Sequence, residues 1–339
     1  MRRSDDKPEG INRRGVLRAA VAGGAAAAIA GGVGGGLATA TGAAAAPARP
    51  LTAAGVAMRW LGVAGWEITF DGHVLYFDPY VSRFDYTTNG GILAPNPAVV
   101  DNLLTTGRLA GPPELMMVSH SHWDHIADVP QLLSRAEWAG ATIRTIGTDT
   151  QRNLLTAMGV SAGRMANFIT ASGGEDLTFQ GGAYQVRVMR SLHSQSLGYG
   201  YFAPGIRVEP PATPKTTTDL VEGNTLAYQL TVPGRLKVLM FGGTNFVEKE
   251  LEGLRPDVVS VCVTDFSSLD HYLERLLTVL GGPRYVIPVH NDDMVTGYDS
   301  PDLPKTIDRT PIDQLKKTVQ SMGLKTQVVE PTHLRVLNF

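Results

Sequence analysis

From residue 58 onward, short apolar runs alternate with amphipathic stretches, and the spacing of the apolar positions separates strands from helices. MRWLGVAGWEITFDGHVLYFDPY reads as consecutive strands with a hairpin turn at Asp71-Gly72. ELMMVSH is a compact apolar run between Pro113 and a polar cluster, the pattern of a buried strand. Asp128 is placed as an N-cap, with Pro130 early in a helix that runs on through QLLSRAEW. TDTQRNLLTAMG predicts a second helix, ended by Gly159. AYQVRVM, LAYQLTV, LKVLMF, DVVSVCV and RYVIPVH predict strands, and HYLERLLTVLGG a helix closed by glycine. IDQLKKTVQSMG predicts a last amphipathic helix before a closing strand pair. The two halves share one theme, with no linker and no short-period repeat. That predicts one α/β domain, residues 55–339, of two packed sheets flanked by helices.

Two stretches break the pattern: residues 81–101, VSRFDYTTNGGILAPNPAVVD, and residues 203–224, APGIRVEPPATPKTTTDLVEGN. Loops this long inside a compact domain are functional covers or plain surface excursions. Each lies within a few residues of a strand end or a metal candidate, which favours substrate-facing covers.

Residues 1–48 follow another rule. NRRGVLR carries the pair Arg13-Arg14, and a stretch of Ala and Gly runs from Ala19 to Ala46. A basic head, a weakly apolar middle and a small-residue end resemble a twin-arginine signal peptide. A retained anchor would need about 20 strongly apolar residues, and GGAAAAIAGGVGGG is diluted by glycine. Ala43-Ala44-Ala45 and Ala46-Pro47-Ala48 both fit small-x-small cleavage. The reading is export by the twin-arginine machinery to the periplasm, cell wall or medium, with no stable membrane anchor after cleavage.

Composition changes this picture little. Hydrophobic residues are 43% and charged residues 18%, an ordinary globular balance. The formal charge of −2 gives no reason to expect a nucleic-acid partner. The leader holds Arg2, Arg3, Lys7, Arg13, Arg14 and Arg18 against Asp5, Asp6 and Glu9, so its removal leaves a more acidic chain. Cys262 is the only cysteine, so no intramolecular disulfide forms, and no cysteine near the leader carries a lipid.

The candidate chemistry lies in VSHSHWDHIAD, where His120, His122, Asp124 and His125 fall within six positions. On an extended backbone residues two apart share a side, so His120 and His122 converge on one ion. Where the chain turns, Asp124 and His125 face a second. Imidazole and carboxylate at this density suit zinc, with bonds of about 2.0–2.2 Å. His193 after AYQVRVM and His290 after RYVIPV also sit at strand exits. His73 and His333 read as surface groups, and His271 at a helix start is open.

HSHWDH is the HxHxDH signature of the metallo-β-lactamase superfamily, and WLGVAGWEITFDGHVLYFDP, SLH and VIPVH resemble that family's first strands and later ligand segments. The combination looks most like the lactonase-like and N-acyl-phospholipid-hydrolase-like branch. The resemblance implies a four-layer αββα sandwich with metals at the strand ends. It also implies two zinc ions, with manganese or iron as alternatives. His120, His122 and His193 would hold the first ion, and Asp124, His125 and His290 the second. A hydroxide held by the ions would attack an ester, lactone, amide or phosphodiester bond of a small-molecule or lipid-derived substrate, with Asp124 as the catalytic residue that orients it.

MFGGTNF departs from the family pattern, because Gly243 stands where an aspartate usually bridges the ions. Asp265 is a candidate substitute. Two other readings fit the resemblance: an iron-dependent redox enzyme and a non-catalytic metal-binding descendant. Tyr199, Tyr201 and Phe202 either line a pocket or pack within a sheet. Asp292 and Asp293 either support the ligands or solvate a loop.

Overall fold

A computed structural model describes residues 55–195 and 200–339. The leader, residues 1–48, and Tyr199 lie outside the described residues. In chain order the strands are β1 (Ala57–Gly62), β2 (Gly65–Phe70), β3 (His73–Phe77), β4 (Leu115–Met117), β5 (Arg144–Gly147), β6 (Phe168–Thr170) and β7 (Asp176–Phe179). They continue as β8 (Tyr184–Arg190), β9 (Leu226–Val232), β10 (Leu236–Phe241), β11 (Val258–Cys262), β12 (Tyr285–Val289), β13 (Gln327–Val328) and β14 (Val336–Asn338).

One sheet has the order β14-β1-β2-β3-β4-β5-β6 and the other β13-β12-β11-β10-β9-β8-β7. Each joins a set of antiparallel ladders to a set of parallel ones, the parallel set starting at β3–β4 in the first sheet and at β10–β11 in the second. Both are therefore mixed sheets, and helices flank them in the expected αββα manner.

The alternation of side chains along a strand builds the layers. In β3, Leu75 and Phe77 join the core between the sheets, while Tyr76 between them joins a second core under the helices. In β4, Leu115 and Met117 face the first core and Met116 the second. A sheet buried on both faces needs apolar residues at every position, which is why ELMMVSH carries no alternation. Among the described residues no helix is long and apolar enough to cross a membrane.

Two local expectations are corrected. The helix expected through QLLSRAEW ends at Leu133, and a separate 3-10 turn spans Ala136–Trp138. Asp128 does not cap that helix with its side chain. Its buried carboxylate instead accepts from the backbone N–H groups of Val81 and Ser82, each at 2.6 Å, and from the Ser82 hydroxyl. That ties down the start of the first long loop, whose end is already helical from Pro97 onward. The two long loops also join each other: Leu93 N donates to Lys215 O at 2.9 Å and Thr217 N to Gly91 O at 2.8 Å.

Candidate metal centre

β4, β8 and β12 end just before His120, His193 and His290 respectively, so residues distant in sequence meet at strand exits. The chain leaves β4, carries the buried His120 and His122 on the segment that follows, then turns at once into a one-turn helix, Trp123–Ile126. That turn brings Asp124 and His125 towards His290, with the His125 ring centroid still 3.9 Å from that of His120. Two groups result, His120–His122–His193 and Asp124–His125–His290, each with ligand atoms within 4.8 Å of one another.

The hydrogen bonds around the histidines decide which nitrogen of each ring is free. Asp78 accepts from Ser119 N at 2.7 Å and from the Ser119 hydroxyl at 2.6 Å. With its proton committed to Asp78, that hydroxyl accepts from His120 Nδ1 at 3.0 Å. His125 Nδ1 donates to the same carboxylate oxygen, Asp78 Oδ2, at 2.8 Å. His193 Nδ1 donates to Ser194 O at 2.9 Å, and His122 Nε2 lies 3.4 Å from Ala203 O. His290 Nδ1 lies 3.1 Å from the Thr264 hydroxyl, which itself donates to the His290 carbonyl.

Each ring therefore has one nitrogen engaged outward and the other turned towards its group. Such outer partners fix tautomer and orientation in metal sites. Inside the first group His120 Nε2 and His122 Nδ1 face each other at 3.1 Å. Inside the second, His125 Nε2 is buried without a hydrogen-bond partner. Asp124 Oδ2 lies 3.2 Å from His290 Nε2 and 3.4 Å from His125 Nε2. An unpaired buried nitrogen is costly unless something occupies it, and a divalent cation suits both groups.

Burial, followed by the neighbouring histidines, lowers the pKa of His120 well below the usual value. Burial and then His193 take His122 down to about 3. His193 falls to about 4, again chiefly through burial. His125 goes the other way: burial opposes its charge, but Asp124 and Asp78 overcome that and raise it to about 10. Burial would raise the Asp124 carboxyl, yet His125 and His290 hold it well below the ordinary carboxylate range.

Around this centre several expectations are settled. Phe202 packs edge-on against the His122 ring at 5.4 Å, and Tyr201 lies 4.9 Å from the His193 ring, so both belong to the centre's wall rather than to a sheet. Asp265 is a member of neither ligand group. His333 is not a surface group: it stacks on Trp60 at 4.2 Å and reaches Asp292 at 2.8 Å. His73 is partly covered and pairs with Glu114 at 2.8 Å, while His271 stays exposed beside Asp270. Asp292 and Asp293 bind Arg83.

Asp78 is the residue that sequence reading missed. Its only signal is an aspartate directly after the apolar run VLYF, at a strand end where its φ of +42° marks a sharp turn.

A Cβ at position 243 would lie 3.0 Å from Leu192 O and 3.4 Å from His193 Cα, so Gly243 sits against the backbone that carries the His193 ligand. Beside His290 opens a cavity of about 360 Å³, whose lining includes Asp265, Asp292, Asp293 and Asp308 but no lysine or arginine.

The family described as Beta-lactamase superfamily domain matches residues 57–290. A UPF0173 metal-dependent hydrolase from Cupriavidus taiwanensis is 26% identical over 252 residues, covering 72% of this chain and 77% of that protein. A metallo hydrolase from the hyperthermophilic archaeon Ignicoccus hospitalis shares the fold with a TM-score of 0.51 and 17% identity, covering 84% of this chain and 98% of its own. The metallo-β-lactamase fold protein YhfI from Bacillus subtilis superposes with a TM-score of 0.50 at 13% identity, covering 84% of this chain and 99% of its own.

Proposed function

Because the chain belongs to the β-lactamase superfamily, as a metal-dependent hydrolase of that fold, we propose that it is a binuclear zinc hydrolase. Its reaction is attack by water on an ester, lactone, amide or phosphodiester bond of a small-molecule or lipid-derived substrate. The observation that carries this reading is the set of outward hydrogen bonds that engages one nitrogen of each of five histidines and turns the other inward. The Cupriavidus relative's description as a metal-dependent hydrolase supports it.

When bound, the two ions supply Lewis acidity and lower the pKa of coordinated water towards neutrality. His120, His122 and His193 would hold one, and Asp124, His125 and His290 the other. Asp124 Oδ2, between His125 and His290, orients the attacking water and takes its proton. The walls then sort the substrate. Tyr201 and Phe202 present aromatic surface on the side of the three-histidine group. The cavity beside His290, where Asp265 and Asp308 are the acidic lining residues not paired with Arg83, admits a neutral or cationic portion and disfavours an anionic one.

The leader supports export by the twin-arginine route, which carries folded chains across and suits a protein whose metals are already in place. Lactonase-like and N-acyl-phospholipid-hydrolase-like chemistry is the branch we favour. Elemental mass spectrometry of protein purified without added metal, followed by a hydrolysis panel, tests the proposal. Two zinc per chain with turnover of a panel member is the expected result. Iron with visible-range absorbance, or two zinc with no hydrolysis of any panel member, would count against it.

A further inference from the structure

We propose that Asp292 is a positioning residue for the second ligand group, holding His290 in place through Arg83, His333 and the Val63 backbone. The inference rests on the two-group metal reading above. It starts from the backbone: His290, Val63, Arg83 and Met294 all have positive φ, at +61°, +50°, +47° and +65°. A β-branched valine in that region is an outlier, and such conformations persist only where the surroundings over-determine them.

Here the surroundings converge on one carboxylate. His290 N donates to Val63 O at 2.8 Å. Val63 N in turn donates to both Asp292 oxygens, at 3.2 and 3.3 Å, so residues 290–292 and Val63 close a ring of hydrogen bonds. Asp292 Oδ2 also accepts from Arg83 Nη1 at 2.7 Å and lies 2.8 Å from His333 Nε2. The Arg83 and Asp292 side chains are both 0% exposed.

The other two nitrogens of Arg83 serve the same segment. Its Nη2 reaches Asp293 at 3.1 Å and its Nε the Thr296 carbonyl at 2.5 Å. Gly62 completes the arrangement: its φ is +92°, and a Cβ there would collide with Arg83 Nη1 and lie 3.0 Å from Asp292 Oδ2. The guanidinium thus packs where only glycine leaves room.

The placement has a purpose specific to this centre. Asp124 and His125 come from one short turn and position each other, whereas His290 arrives alone from the opposite sheet. With glycine at position 243, no carboxylate from that turn joins the two groups. His290 therefore depends on its own loop, fastened on one side by Thr264 and on the other by the Asp292 ring of bonds.

The test combines hydrogen exchange on the metal-free protein with zinc titration against a chromophoric chelator, for Asp292→Asn, Arg83→Met and Arg83→Lys. In the first two variants amide exchange at Val63 and His290 should accelerate by about tenfold or more while peptides spanning 117–126 stay as in the wild type. The second zinc should weaken by about 10–100-fold and the first remain unchanged. Arg83→Lys keeps the charge but not the fork and should fall between, which guards against a variant that simply unfolds. Unchanged exchange at His290, or equal loosening of both regions, overturns the proposal. A wild type that takes only one zinc, with the exchange pattern intact, would instead overturn the two-ion reading and leave the positioning role standing.

Discussion

The three-histidine group and the Asp124–His125–His290 group lie side by side, yet the protein prepares them differently. The first is a set of neutral imidazoles, their outer nitrogens tied to a hydroxyl and to backbone carbonyls. The second is an internal ion pair in the metal-free protein, with Asp124 ionised and His125 protonated between Asp124 and Asp78. The first group is therefore open to a cation at neutral pH, while the second has to give up a proton first. The difference teaches that two adjacent groups built largely from histidine differ in charge because His125 lies between two buried carboxylates, Asp124 and Asp78.

The largest effect that bears on this contrast is loss of Asp124. Asp124→Ala should lower kcat by about 10²–10⁴-fold, the range for a positioned acid–base group, with an unaltered circular dichroism spectrum. Near-normal rates in a folded variant would remove Asp124 from the chemistry.

Next comes pH. Below about 10 His125 holds its proton in the metal-free protein, so binding of the second ion releases it. Affinity for that ion should rise about tenfold per pH unit, about 100-fold from pH 6.5 to 8.5. The first ion should bind almost independently of pH in that window, because His122 and His193 are neutral above about 4. Zinc calorimetry in buffers of different ionisation enthalpy reads both.

The same shifts set the stability of the metal-free protein. The contribution of His125 is present below its unfolded value of about 6.5 and is lost as pH rises towards 10. That of His122 and His193 is present above about 6.5 and is lost as pH falls towards 4 and 3. The melting temperature should peak near neutrality, and a monotonic profile from pH 5 to 9.5 would contradict the two-group contrast.

Smaller effects sharpen the picture. Gly243→Asp places a carboxylate beside the His193 backbone and should tighten the second ion by about tenfold, provided Leu192 O gives a few tenths of an ångström. Asp265→Asn should leave metal content unchanged, since Asp265 stands outside both groups. A zinc lost in that variant would make Asp265 the missing ligand after all.

The fold was legible because its strands are buried on both faces or on one, and both patterns leave a mark in the sequence. The six ligand candidates were legible because HSHWDH packs four of them into one turn and strand exits mark the other two. Asp78, Arg83 and His333 were not, for a physical reason. Their meaning lies in contacts spanning 41 residues for Ser119–Asp78, 209 for Arg83–Asp292 and 41 for His333–Asp292, and no local periodicity encodes these. Asp128 misled in the opposite way: its local context fits a helix cap, while tertiary partners at Val81 and Ser82 claim the carboxylate.

The last strand carries one more consequence. β14 returns to pair with β1, and Val56 and Phe339 exchange backbone hydrogen bonds at 3.0 Å in both directions. Residues 56 and 339 are thus neighbours, and the segment between them is topologically a ring with one cut in it. A few-residue linker between 339 and 55 would close that ring, and new ends could be opened at the exposed turn of Gly90 without disturbing either sheet.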